Sequence, residues 1–159
     1  MKERHIISLL VENKFGVLAK VAGLFSIRGY NIDSFSVGPT DDPSLSRMTV
    51  VVRGDKKTIE QITKQLHKLI DVVTVLDLPE HERIEKELCF VRVHTPPKRR
   101  EEITHLAKLA GARIADIAAT SLLFEITDTE EKVDAFLELM RPFGIKKVTR
   151  GGTVAIERS

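Results

Sequence analysis

An α+β fold, two β-α-β-β-α-β units in tandem, is what the sequence predicts, and three observations carry that prediction. Over residues 1–78, apolar runs with strand character alternate with helical stripes in the order strand, helix, strand, strand, helix, strand. The same order recurs more loosely over residues 88–159. Between them lies Glu80–Glu87, EHERIEKE, the most charged stretch of the chain. One such unit is a ferredoxin-like module, an antiparallel sheet with both helices on one face. The chain therefore divides into 1–78, a linker at 79–87 that reads equally as a short solvated helix, and 88–159.

The first strand is Ile6–Val11, a nearly unbroken apolar run of the kind buried on much of both faces. Glu12-Asn13-Lys14-Phe15-Gly16 ends it, and a helical pattern starts at once. Val17, Leu18, Val21, Ala22, Leu24 and Phe25 share one face, with Lys20, Ser26 and Arg28 off it. Gly29 is placed to stop this helix in the left-handed conformation. From Asn31 the period becomes two, with Phe35 and Val37 opposite Ser34 and Ser36, and Gly38–Pro43 is dense turn chemistry. Met48, Val50 and Val52 mark the third strand. Gly54-Asp55 supplies a break and a cap, Ile59, Ile62, Leu66 and Leu69 step along a second helix, and Val72–Leu78 is a fourth strand ended by Pro79.

In the second half, Leu88–His94 reads as a strand and Thr95-Pro96-Pro97 as a break. Ile103, Leu106, Ala107 and Ala110 mark a helix stopped by Gly111. Arg113–Thr120 and Leu122–Ile126 form a strand pair. Val133, Phe136, Leu137 and Met140 make a helical stripe entered through Asp128-Thr129 and broken at Pro142 and Gly144. Ile145–Val148 and Val154–Ile156 supply a last strand interrupted at Gly151-Gly152.

Bulk composition narrows the function classes. Two domains of this size bury only about 60% of their unfolded surface and gain stability by pairing, so an oligomer is expected. Net charge is +2, with 11 basic against 9 acidic residues in 1–78 and 14 against 14 in 79–159, too even to point to nucleic acid. Aromatic residues are 5%, with one tyrosine and no tryptophan, so the base-stacking sheet of RNA-binding modules is also unsupported. The single cysteine, Cys89, excludes an internal disulfide framework and fits a reducing compartment. The first residues lack a signal-peptide pattern and no apolar run reaches the 18 or so residues of a membrane span, so the expected location is the cytoplasm, with no membrane contact.

Two turns carry the candidate chemistry. A helix starting near Gly16 directs its unpaired N–H groups and its dipole at whatever lies over the turn, which favours an anion. Gly16, without a Cβ, lets a carboxylate approach the backbone, and Asn13 offers a donor and an acceptor without charge. Alternatively, Asn13 only caps the helix and Gly16 only turns the chain. Asn31 opens the next strand from the far end of that helix, about 18–20 Å away at 1.5 Å per residue. Asn13 and Asn31 therefore share a ligand only if a second subunit brings its Asn31 beside the first subunit's turn; otherwise Asn31 is a turn residue after glycine.

Other candidates lack chemical context. His5, His67, His81, His94 and His105 show no metal-ligand spacing, and Cys89 has no Cys-x-x-Cys partner. No serine sits in a nucleophile elbow, and neither dinucleotide nor phosphate-loop pattern occurs. Lys98-Arg99-Arg100 reads as the exposed first turn of a helix. No paired acid/base constellation argues for an enzyme.

The stretch VENKFGVLAKVAGLFSIRGYNIDSFSVGPTDDPSLSRMTVVV, Val11–Val52, resembles the regulatory small subunits of acetohydroxyacid synthase, also called acetolactate synthase, whose N-terminal half is an amino-acid-binding ACT domain. Gly23–Ile32 and Thr40–Thr49 are blocks of that family rather than of ACT domains at large, and Lys64–Val72 continues the match. The resemblance is strong over 3–78 and weaker over 84–157, where short pieces such as Gly111–Asp116 and Asp134–Phe136 carry it. It implies a non-catalytic chain that activates a large catalytic subunit and confers feedback inhibition by valine, or by leucine or isoleucine, in branched-chain amino acid synthesis. Thiamine diphosphate, FAD and magnesium would belong to that partner, with no cofactor in this chain. The effector would sit at the interface of an ACT–ACT homodimer, on Asn13, Gly16 and Asn31, with backbone or apolar contacts from Val17, Leu18 and Ile32. Between Asn13 and Gly16 this chain has Lys14-Phe15 where many members carry a small or acidic residue. The competing reading is a free-standing amino-acid sensor of ACT type acting on another partner, such as a transcriptional regulator.

Overall fold

The computed structural model describes residues 3–159, which form two compact units, one of residues up to Ile84 together with Thr153–Ser159, the other Glu85–Gly152.

In the first unit, strand β1 (Glu3–Glu12) is followed by helix α1 (Val17–Ile27), strands β2 (Asn31–Pro39) and β3 (Leu45–Gly54), helix α2 (Lys56–His67) and strand β4 (Val72–Asp77). The sheet order is β2-β3-β1-β4 and all its ladders are antiparallel. The central strand, β1, pairs with β3 without a slip from Glu3 opposite Gly54 to Glu12 opposite Leu45. Its alternation sends Ile7, Leu9 and Val11 into the core shared with Val17, Val21 and Phe25 of α1 and Ile59, Ile62 and Leu66 of α2. Ile6 points the other way and is also fully buried, against Val51, Leu78 and Ala155. An unbroken apolar run is the sequence form of a strand covered on both faces, and each such side chain contributes about 1.5–3 kcal/mol by leaving water.

The ends of α1 and α2 are set by local chemistry. Asp55 caps α2, its carboxylate accepting the Thr58 N–H at 2.7 Å. At the close of α1, Gly29 takes φ +69; its N–H donates to the Ser26 carbonyl and that of Tyr30 to the Phe25 carbonyl. This is a Schellman closure, and its apolar contact is present as an edge-to-face pair of Phe25 and Tyr30 with ring centroids 6.3 Å apart.

The second unit takes most of β5 (Arg83–His94) and of β8 (Ile145–Glu157), together with helices α3 (Arg100–Leu109) and α4 (Glu130–Met140) and strands β6 (Arg113–Ile117) and β7 (Ser121–Asp128), in the sheet order β6-β7-β5-β8. Cys89, Val91 and Val93 pack with Leu122, Phe124 and Ile126 beneath Ile103 and Ala107 of α3 and Val133, Phe136 and Met140 of α4.

Two expectations need correcting. The stretch 79–87 is not a separate linker: Glu80–Glu82 forms one 3₁₀ turn, and β5 already begins at Arg83. Its charges mask a period of two, since Glu87 is buried while Lys86 and Leu88 are exposed. The last strand is also not interrupted at Gly151-Gly152. Gly152 takes φ +79 and donates its N–H to the Glu87 carboxylate at 3.0 Å, so the strand bends through the glycines and continues, and its last residues, Thr153–Ser159, belong with the first unit.

Candidate functional site

The turn between β1 and α1 is held from three sides. The Glu12 N–H donates to the Asp71 carbonyl at 2.8 Å and the Asn13 N–H to the Ser44 carbonyl at 2.7 Å. The Asn13 side-chain amide donates to the Pro43 carbonyl at 3.2 Å. Asn13 therefore does not cap α1, the plainer of the two roles open to it; it ties the turn to the β2–β3 loop. Gly16 occupies the cap position at φ +86, ψ −9, and among the described residues α1 has no side-chain cap hydrogen bond. A Cβ on Gly16 would have nothing within 4 Å, so it is the left-handed backbone, not crowding, that calls for glycine.

The Val17 N–H reaches back to Lys14 O and the Lys20 N–H to Gly16 O, which leaves Leu18 and Ala19 as first-turn donors that no backbone carbonyl among the described residues takes up. No acidic residue sits in that turn. Uncapped N–H groups and a positive dipole end, beside a neutral asparagine, suit a carboxylate. Lys14 pairs with Glu12 at 2.7 Å, and that carboxylate raises the lysine's pKa. Phe15 is fully exposed. Of the apolar residues expected nearby, Leu18 is 49% exposed, whereas Val17 is in the core and offers a ligand only its backbone.

Asn31 and Ile32 lie elsewhere. Asn31 is exposed at the start of β2, opposite Arg53 of β3, and lines a cavity of about 340 Å³ with Gly29, Tyr30, Arg53, Gly54, Asp55 and Thr58. Ile32 stands opposite Val52 and packs on the core. The 11 residues of α1 span about 16 Å. Along β3, the step from Leu45 (beside Glu12) to Arg53 (beside Asn31) is about 27 Å at 3.4 Å per residue. The fold thus brings Asn13, Gly16, Val17 and Leu18 to one end of the unit and Asn31 and Ile32 to the other. Within one chain they cannot grip one small molecule.

Sequence reasoning missed Asp33 and Arg53. The ladder of β2 on β3 slips between Ile32 and Ser34, leaving Asp33 as an extra residue, and the Asp33 carboxylate accepts from Arg53 Nε at 2.6 Å. The opposite charges were visible, but the bulge that lets them meet has no sequence signature. Cys89 is buried, and that burial raises its thiol pKa. Among the described residues no three histidine, cysteine, aspartate or glutamate side chains converge as metal ligands, and no helix is long and apolar enough to cross a membrane.

A probable acetolactate synthase small subunit of Archaeoglobus fulgidus is 52% identical over 155 residues, which are 98% of this chain and 97% of that one. The chain belongs to the acetolactate synthase small-subunit family. Two family models divide it: an AHAS small subunit-like ACT domain matches residues 7–74, and the model for the small subunit of acetolactate synthase matches 86–159. The acetolactate synthase isozyme 3 small subunit of Escherichia coli is 42% identical over 98% of this chain and 96% of its own. The crystal structure of the acetolactate synthase small subunit from Thermotoga maritima superposes with a TM-score of 0.91 at 39% identity, covering 99% of this chain and 98% of that one. The acetolactate synthase family match therefore extends through both units, which disfavours a free-standing ACT sensor.

Proposed function

We propose that this chain is the regulatory subunit of a cytoplasmic acetolactate synthase: it raises the activity of a separate catalytic subunit and confers feedback inhibition by valine. The observation that carries the effector reading is the uncapped start of α1 at Gly16 beside Asn13, with Asn31 at the opposite end of the same unit. A carboxylate fits the first turn of α1, asparagines suit the charged ends of an amino acid, and exposed Leu18 offers apolar surface for a branched side chain. The separation of the two asparagines supports a site built by two ACT units in a homodimer, Asn13 and Gly16 from one and Asn31 from the other. Thiamine diphosphate, flavin and magnesium belong, in this reading, to the catalytic partner, and this chain contributes binding and coupling rather than chemistry. The coupling is about 1–3 kcal/mol, and by linkage the catalytic partner changes valine affinity by the same factor.

The test is reconstitution with an acetolactate synthase catalytic subunit. Higher turnover in the complex, lowered by valine, is expected. A catalytic subunit whose rate is unmoved by saturating amounts of this chain overturns the role.

A further inference from the structure

We infer that the Asp33–Arg53 ion pair is a positioning device for the effector site, holding the register of β2 so that Asn31 is presented outward. The inference rests on the reading of Asn31 as an effector ligand and adds two residues that reading does not use. Asn31 stands opposite Arg53, so both side chains leave the same face of the sheet. Two residues on, Asp33 is the extra residue of the bulge, and its carboxylate returns to Arg53 Nε at 2.6 Å. The pair closes a short loop of constraint: Asn31 is matched to Arg53 through the ladder, and Arg53 is bonded to Asp33 through its side chain.

The need for such a device follows from topology. In its sheet β2 is an edge strand with a neighbour on one side only, and its burial is shallow along its whole length. A slip of one residue reverses every side chain, turning Asn31 toward the core and Ile32 toward water. The bulge already places one slip in the ladder between Ile32 and Ser34. A bulge leaves one residue unpaired wherever it sits, so the backbone bonds alone do not fix its place. Exposed ion pairs contribute little. This one is short, its side chains are 24% and 38% exposed, and it borders the cavity that Asn31 and Arg53 line together. A charge-assisted bond in that setting selects one register over its neighbour.

The test uses the full chain and two readouts. Asp33→Asn is expected to speed amide hydrogen exchange over residues 31–37 about tenfold and to weaken valine binding, measured by calorimetry, by a similar factor. Arg53→Lys, which keeps the charge but removes the Nε donor, is expected to do the same, and the swap Asp33→Arg with Arg53→Asp to restore both readouts. In an Asn31→Ala background, Asp33→Asn is expected to cost no further affinity, because its effect passes through Asn31. Losses that add in full, or wild-type exchange in both single variants, overturn the inference. If the unsubstituted chain binds no valine, the effector reading falls and hydrogen exchange alone decides the positioning role.

Discussion

The side-chain amide of Asn13 donates to the carbonyl of Pro43 at 3.2 Å, which makes this asparagine a tether between the β1–α1 turn and the β2–β3 loop rather than a cap for α1. In the proposed function, its carbonyl oxygen is the group that meets the ligand. Asn13→Ala is expected to cost only about 1 kcal/mol of stability, from one exposed hydrogen bond, while weakening valine binding at least tenfold. Thermal unfolding and calorimetry on the same sample separate the two effects.

Asn13 and Asn31 at opposite ends of one unit lead to a complementation experiment. Asn13→Ala and Asn31→Ala, each alone, are expected to weaken valine binding at least tenfold, to a level that calorimetry still reads. In a mixed dimer of the two variants, one site loses both asparagines and the other keeps both. Mixing the variants under subunit exchange should therefore restore roughly a quarter of the sites under random assortment. A mixture that stays silent overturns the shared site.

Gly16 is left-handed in open space, with φ +86 and nothing within 4 Å of where an alanine methyl would sit. Gly16→Ala is expected to destabilise by about 1 kcal/mol, through backbone strain alone. For a chain of this size that lowers the melting temperature by about 2–4 °C.

Asp55 caps α2 through the Thr58 N–H, and hydrogen bonding from the Thr58 side chain, then from its backbone N–H, lowers the pKa of the carboxylate below its usual 3.8. Because the folded pKa is the lower one, the cap's contribution is present above the unfolded pKa and is lost as pH falls through the folded value. Asp55→Asn, which still accepts a hydrogen bond, should therefore flatten the acid limb of the stability profile below about pH 4 and leave neutral stability nearly unchanged.

Glu87, 5% exposed, accepts from Arg150 at 2.6 Å and from the Gly152 N–H at 3.0 Å, and Arg150 also binds Asp134 at 2.7 Å. The neighbouring carboxylates raise the pKa of Arg150, so it stays charged at any working pH. Arg150→Met strands a nearly buried carboxylate and is expected to cost about 2–3 kcal/mol in chemical denaturation, more than Glu87→Gln does.

Much of this was legible in local pattern. The apolar run of β1, the stripe of α2 and the stop at Gly29 are each set by neighbouring residues, and these elements formed there, except that α2 ends at His67, before Leu69. The charged stretch 79–87 and the glycine pair 151–152 were misread for one reason. Strand pairing there is enforced by partners far along the chain, with Gly152 held by Glu87, and composition carries no record of distant partners.

From the sequence alone came the order of elements, the family, and the argument that one helix length separates Asn13 from Asn31. Those follow from period, rise per residue and shared residue blocks, which are properties of the chain as a line. Only the folded structure decided that Asn13 spends its amide on Pro43, that Val17 is lost to the core, and that a bulge at Asp33 meets Arg53 beside Asn31. These depend on which strands lie side by side and in what register. Register is the sum of many weak cross-strand preferences, and it becomes definite only once the whole sheet has assembled.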